Sequence, residues 1–473
     1  MNNYSIKSIY VIGLHDQFDV HLSFGPGLNI IYGKNGRGKT TVLHILANVL
    51  ERDFSRFLYL QFNSIFIELN SGVILALESQ SESGAPRHID VLLDGELISS
   101  FSSMGDRIGE PLSSVLDKIL GPRAVYLPAF RSILERVTDS YRYAPETSAK
   151  LEYDQIVKSE RSLVRSRLQD GGGVPRRDEQ AQATAAKTLQ CRQWFGQFVP
   201  VIRYPSMSDV EQRLRLELRQ AQLEMASVEQ KVFSESFTRV FDVLATSSQK
   251  EVKRSTPDLL RDVSNSVGKI TSKNDGSEGE IYAHILSAVR RLRQDSDTSP
   301  ETTNRVLALY SDLLKWRSDE QEKLFSGIEK FEESVNKFLD GKELQVAGEH
   351  GNEAYLRPII KLGAGRKLRL SSLSSGERQV LTMIFCASRM SEGRGLFLVD
   401  EPELSLHVDW QRDILMEVSR QAGGRQVIAC THSPEVGADH PDSVEFFDPT
   451  WSQRYIFGDD FSLDDDSSEV RFE

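Results

Sequence analysis

Residues 28–41 read LNIIYGKNGRGKTT, and the fold is decided by how this stretch is parsed. Leu28 to Tyr32 are apolar and β-prone, as expected of a buried strand. Gly33 to Thr40 fit G-x-x-x-x-G-K-[ST]. From Thr41 to Leu50, Val42, Ile45, Leu46, Val49 and Leu50 fall at helical spacing. Strand, glycine-rich loop and helix in that order predict a phosphate site. Gly33, Gly36 and Gly38 let backbone N–H groups converge on an anion, and the start of the helix adds unpaired N–H groups and its positive dipole end. Lys39 is placed to reach β- and γ-phosphates, and the Thr40 hydroxyl to ligate Mg²⁺. The bland alternative is a glycine turn with a chance lysine; the strand and helix flanking it favour the phosphate site.

The chain has 473 residues, room for two to four domains or one large domain with an insertion. It is 39% hydrophobic and 27% charged, the composition of a globular protein. The net charge of −12, from 57 basic and 69 acidic residues, gives no bulk support for nucleic-acid binding. Cys191, Cys386 and Cys430 are scattered, which argues against structural zinc or a disulfide frame and fits a reducing compartment. The apolar part of the N-terminus is short for a signal peptide, and no stretch has the length of a membrane span. A cytoplasmic protein without membrane contact is expected.

Outward from the loop, Ile6–Ile12 and Phe18–Phe24 predict paired strands. Segments 65–69 and 73–77, then 88–93 and 96–100, predict two hairpins around Asn70-Ser71-Gly72 and Asp94-Gly95. Leu112–Leu120 predicts a helix and Ala124–Leu127 a core strand. Residues 169–187, glycine-rich and then polar, predict a loose linker. Val210, Leu214, Leu218, Ala221, Met225, Val228 and Val232 form a heptad-like stripe, either a coiled-coil arm or an ordinary long packed helix. Residues 251–275 predict a loop with short helices, and 281–292, 306–316 and the stripe from Leu324 to Leu339 predict helices. Strands return at 344–346, 355–361 and 368–370.

The second half carries further chemistry. Leu373-Ser374-Ser375-Gly376-Glu377 precede an apolar helix; alone, either serine is as good an N-cap as a ligand contact. Leu396 to Val399 form a buried strand ending in Asp400-Glu401-Pro402. An aspartate there can hold Mg²⁺, and the adjacent glutamate can deprotonate an attacking water. Gln426–Ala429 predict a core strand leading to Cys430-Thr431-His432, a position from which a histidine can sense a γ-phosphate.

On these motifs the chain resembles an ABC-type ATPase of the RecF, RecN and SMC-like group. GKNGRGKTT resembles its Walker A, LSSGE its LSGGQ signature and LFLVDEPE its Walker B with the catalytic glutamate. SLHVDW resembles the D-loop and THSPE the switch histidine. The resemblance is closest to stand-alone ATPases of bacterial anti-phage systems (Septu, PARIS, the ATPase half of OLD proteins). It implies an α/β fold, a P-loop NTPase head whose mixed sheet is built from both chain ends, with a large helical insertion. The expected division is 1–150 and 341–448 for the head, 151–340 for a helical or coiled-coil insertion, and 449–473 for an acidic tail. It further implies ATP and Mg²⁺ as ligands, with nucleotide held by Gly33, Lys34, Asn35, Gly36, Arg37, Gly38, Lys39, Thr40 and Thr41, and metal by Thr40 and Asp400. Glu401, His432 and Lys39 would act in catalysis. Ser374, Ser375, Gly376 and Glu377 would reach the nucleotide of a second copy, so ATP would drive a homodimer or higher oligomer. A separate effector, a nuclease, and a DNA or phage-protein trigger are the implied partners; the alternative is a repair ATPase acting directly on DNA. One departure is plain: where the group has its Q-loop glutamine, YLPAFRS offers Arg131 and Ser132. Local basic runs at 123–142 and 158–177 predict a solvated face or, less favoured, a phosphate-backbone contact.

Overall fold

Period-two burial builds the first sheet. In β1 (Ile6–Leu14) and β2 (Phe18–Ser23), Ile9, Val11, Val20 and Leu22 face inward, while Lys7, Tyr10, His21 and Ser23 face solvent. β3 (Leu28–Tyr32) differs: Asn29, Ile30 and Ile31 are all buried, as in a strand covered on both faces. The glycine loop then enters α1 (Lys39–Glu51). The two hairpins follow as β4 (Ser64–Leu69) with β5 (Ile74–Gln80), and β6 (His88–Leu93) with β7 (Glu96–Ser102). The second turns through Asp94 and Gly95, both at positive φ (49° and 83°), the backbone a two-residue hairpin needs. β8 (Arg107–Ile108), α2 (Ser113–Leu120), β9 (Val125–Leu127), α3 (Arg131–Leu134), α4 (Lys150–Arg167) and α5 (Arg177–Phe195) complete this part of the chain.

The computed structural model describes residues 4–80, 87–102, 107–108, 113–134, 149–167, 177–245, 256–273, 284, 287, 300–346, 358–363, 365–389 and 395–452. The chain forms two compact units, 1–206 with 375–473, and 207–374. The second contains α6 (Met207–Ala245), α7 (Thr256–Lys273), α8 (Pro300–Asn336) and a small antiparallel sheet of β10 (Lys342–Gln345), β11 (Ile359–Leu362) and β12 (Lys367–Leu368). The first unit resumes with α9 (Ser375–Ser388), β13 (Phe397–Asp400), α10 (Val408–Gln421), β14 (Val427–Thr431), α11 (Pro434–Gly437), β15 (Val444–Phe446) and β16 (Thr450–Trp451).

The fold is α/β, with strands from both chain ends sharing sheets. The parallel and antiparallel strands of the expected mixed sheet separate into two. One sheet has five parallel strands in the order β15-β3-β14-β13-β9; the other has eight antiparallel strands in the order β16-β2-β1-β4-β5-β6-β7-β8. The parallel strands β13 and β14 are buried at every position, whereas the antiparallel ones alternate.

Several boundaries depart from the sequence reading. The second unit begins at Met207 rather than near 151 and runs to Ser374, so β10–β12 lie in it and α4 and α5 do not. Packing explains why. Ile156 and Val157 of α4 meet Ala181, Ala185 and Leu189 of α5, and Val201 closes the cluster. Ion pairs then tie this region to the end of α1: the Arg203 guanidinium grips both oxygens of buried Glu51, and Arg123 pairs with the same carboxylate at 3.1 Å. Burial works against the charge on Glu51, but these guanidiniums outweigh it and hold its carboxyl below the ordinary range. The basic residue Arg123 is thus engaged within the chain. Residues 177–187, expected in a linker, are helical because Ala181, Ala185 and Leu189 recur every four residues and are buried. Residues 256–273, expected as a loop with short helices, form the single helix α7 for the same reason: Leu259, Val263 and Val267 sit at the same spacing and are fully buried, Leu259 against Leu307 and the two valines with Leu314. Segments 306–316 and 324–336 are one continuous helix, α8. The heptad-like stripe on α6 packs along α8 inside its own unit, with Val210, Leu214 and Leu218 fully buried. The expected helix at 281–292 lies outside the described residues save positions 284 and 287, as do residues 169–176 and the tail beyond 452. Phe331 on α8 has no exposed surface. Phe331→Ala is expected to lower unfolding stability by about 3–5 kcal/mol, read as a reduced urea midpoint.

Candidate functional site

Strand register brings the distant motifs together. In the parallel sheet Cys430 of β14 lies level with Ile31 of β3 on one side and Asp400 of β13 on the other. The chain leaves all three strands at the same edge, the carboxyl ends where open α/β sheets bind ligands. Three loops therefore converge there: 33–38, 401–407 and 432–433.

The first loop turns through Gly36 and Gly38 at φ 75° and 103°, left-handed values that favour glycine. Gly33 lies so near the Phe447 carbonyl that a Cβ would come within 2.8 Å of its oxygen. The Lys39 ammonium donates to the carbonyls of Gly33 (2.7 Å) and Lys34 (3.0 Å) and is buried. A cavity of about 530 Å³ is lined by His15, Asn35, Gly36, Gly38, Lys39, Thr40 and Thr41 from one end of the chain, and by Glu401 and His432 from the other. Lys34 and Arg37 are not among its walls; the Arg37 guanidinium sits over the Phe18 ring, 5.9 Å from its centre.

The Thr40 hydroxyl donates to Asp400 Oδ2 at 2.9 Å. Asp400 is 1% exposed, and its Oδ1 is buried with no hydrogen-bond partner among the described residues. Burial pushes the Asp400 carboxyl up to about 6. A hydroxyl beside a carboxylate with one oxygen unsatisfied is a donor set that fits a hard cation such as Mg²⁺, whose charge would draw that pKa back down.

Glu401 adopts φ 47°, left-handed and unusual for a glutamate. Its N–H donates to the Cys430 carbonyl at 2.8 Å, and its carboxylate meets His432 Nδ1. Burial, reinforced by the neighbouring Glu403, pushes the Glu401 carboxyl up to about 7, while His432 pulls it down. Glu403 was not foreseen. It is buried and accepts from the Thr431 hydroxyl at 2.6 Å and from the N–H groups of His432 and Ser433 at 3.3 and 3.2 Å. It thereby fixes the backbone that carries His432. The i, i+2 spacing of Glu401 and Glu403 was a signal that could have flagged it. His15 was also unforeseen: at φ 56° in the β1–β2 turn, its Nε2 lies 3.1 Å from the Thr41 hydroxyl. Arg131, fully buried, donates to the carbonyls of Pro128, Asp400, Glu401 and Pro402.

Ser374 and Ser375 are exposed at the start of α9, while Gly376 and Glu377 are buried. None of the four lines the cavity. A Cβ on Gly376 would come within 2.6 Å of the Ser405 carbonyl oxygen, so this turn and the 403–407 loop are fitted to each other. Gly376→Ala is expected to cost about 1–3 kcal/mol of stability, measured by thermal or urea unfolding, because backbone rather than a flexible tip must move.

The family model described as "AAA domain, putative AbiEii toxin, Type IV TA system" matches residues 202–439, half of the chain, and a second, described as "AAA domain", matches residues 8–96. A curated relative, "Retron Ec83 probable ATPase" of Escherichia coli, is 30% identical over 78 residues, or 16% of this chain. The match spans only 14% of that relative's length. Among solved structures, the Smc head domain with an extended coiled coil from Pyrococcus furiosus aligns at TM-score 0.39 and 14% identity, over 96% of this chain and 98% of that one. The Smc head domain from Pyrococcus yayanosii gives 0.35 and 13%, over 92% and 93%. No helix among the described residues is long and apolar enough to cross a membrane.

Proposed function

The chain belongs to the AAA-domain family that carries the AbiEii and type IV toxin–antitoxin description, and from that membership we propose that it hydrolyses ATP in the cavity lined by Asn35, Gly36, Lys39, Thr40, Glu401 and His432, with Asp400 beside Thr40. The observation that most supports this reading is the strand register that sets Thr40 against Asp400, 360 residues away, with Glu401 and His432 beside them. Thr40 and Asp400 would hold Mg²⁺, which supplies charge neutralisation at the β- and γ-phosphates. The loop N–H groups and Lys39 bind the phosphate chain. Glu401 accepts a proton from water as its oxygen bonds to the γ-phosphorus and the bond to the ADP oxygen breaks. A carboxyl near neutrality, half-buried and held by His432, suits that task.

The exposed Ser374 and Ser375 at the N-terminus of a 14-residue helix, outside their own cavity, support a site completed by a second copy. ATP then drives association and hydrolysis loosens it. We assign the cytoplasmic assembly to control of a separate effector, a nuclease, in anti-phage defence, triggered by DNA or a phage protein. The family's toxin–antitoxin description and the retron relative's name support this. Direct action on DNA gains nothing from Arg123 and Arg131, which are engaged internally. The test is purification of the tagged chain from cells carrying its neighbouring genes. A copurifying nuclease whose activity changes with ATP is expected; steeply salt-dependent stimulation of hydrolysis by DNA alone would favour the repair reading.

A further inference from the structure

We propose that Arg131 is a positioning residue for hydrolysis, its guanidinium clamping the backbone of Asp400–Pro402 so that the Glu401 carboxylate is aimed into the cavity. The proposal rests on Glu401 serving as the base. Arg131 is, with Arg192 and Arg317, among the largest fully buried side chains of the described residues, and both of its terminal nitrogens donate to main-chain carbonyls. Nη1 donates to Asp400 O at 2.7 Å and to Pro128 O at 3.2 Å; Nη2 donates to Glu401 O at 2.7 Å and Pro402 O at 3.0 Å. Three consecutive carbonyls turned toward one cation is an arrangement that the alternating carbonyls of a strand do not give, and Asp400 is the last residue of β13. It coincides with the left-handed backbone of Glu401, a conformation that persists only where surroundings hold it. The Cys430 carbonyl holds the Glu401 N–H from the other side at 2.8 Å.

The clamp is itself anchored. Phe130, next to Arg131, stacks face to face on Phe195 of α5 with ring centres 4.0 Å apart. The planar fork of arginine can serve carbonyls on two segments together; a lysine ammonium, a point charge on a flexible stem, cannot reproduce that span. Charge alone is therefore insufficient, which makes Arg131→Lys the informative change.

The experiment measures ATP turnover, binding of a fluorescent ATP analogue and thermal unfolding for the full chain, Arg131→Lys, Glu401→Gln and the double variant. For Arg131→Lys, a fall in kcat on the order of 100-fold is expected, as for a catalytic group misplaced by about 1 Å. KM and analogue binding should stay within about 2-fold, since only the transition state is affected. In the Glu401→Gln background the same substitution should lower turnover no further, because the two act as one unit. A normal kcat, a rise in KM alone, or a full additional loss in the Glu401→Gln background would overturn the proposal. Should Arg131→Lys not fold, Arg131→Gln takes its place, and failure of both would overturn it in favour of a purely architectural guanidinium. If Glu401→Gln is impaired while Arg131→Lys is normal, only this inference fails. If the wild-type chain does not turn over ATP, or Glu401→Gln turns over normally, the ATPase reading fails with it.

Discussion

Glu401→Gln is expected to bind ATP as the wild type does and to hydrolyse it about 10³-fold more slowly, within the usual range for loss of a general base. The substitution keeps size and polarity but removes the proton acceptor. Its environment supports the assignment: the carboxylate contacts His432 Nδ1, lines the cavity and is pushed up to about 7 by burial and Glu403. With hydrolysis blocked, the ATP-bound state should accumulate as an oligomer. Phosphate release and sedimentation with ATP, run on the same preparation, check both halves of this expectation. Wild-type turnover by the variant would remove Glu401 from the role of base.

Lys39→Ala is expected to abolish turnover, with kcat/KM reduced by about 10²–10³-fold or more, the scale for losing one preorganised charge donor. Here binding should fall as well, because in the proposed site the ammonium would reach the phosphates before and during bond cleavage. The fold should survive. Lys39 Nζ makes its contacts to the Gly33 and Lys34 carbonyls and to Asn35, all within its own loop. Isothermal titration with ATP analogues and unaltered thermal unfolding would together separate lost binding from lost structure.

The local features were legible in the sequence because they are written in short-range pattern. LNIIY followed by a glycine loop and an amphipathic helix specifies its own geometry, and so does LFLV before Asp400-Glu401. The clamp by Arg131 was not legible. Its partners Asp400 to Pro402 lie 269–271 residues away, and no periodicity encodes a side chain's bonds to backbone that distant. The same residue had stood out merely as an arginine where the resembled group has glutamine. Glu403 was hidden by its neighbours: a carboxylate beside a stronger candidate looks solvated until Thr431 and the N–H groups of His432 and Ser433 are seen to surround it. In α7, frequent polar residues masked three buried positions at helical spacing, Leu259, Val263 and Val267, that burial against α8 turns into a helix. The limit of the second unit was obscured because ion pairs between residues far apart in sequence help hold α4 and α5 in the first unit: Arg203 joins Glu160 of α4 to Glu51 at the end of α1, and Arg192 of α5 pairs with Asp53.

A site shared between two copies, as proposed above, would tie rate to concentration. The most direct measurement is Mg²⁺-dependent ATP turnover per chain, followed from dilute to concentrated protein. Turnover per chain that climbs with concentration and then levels off is the predicted result, since neither copy has Ser374 to Glu377 in the walls of its own cavity. Turnover per chain that stays constant over the whole range while sedimentation records a monomer would contradict it.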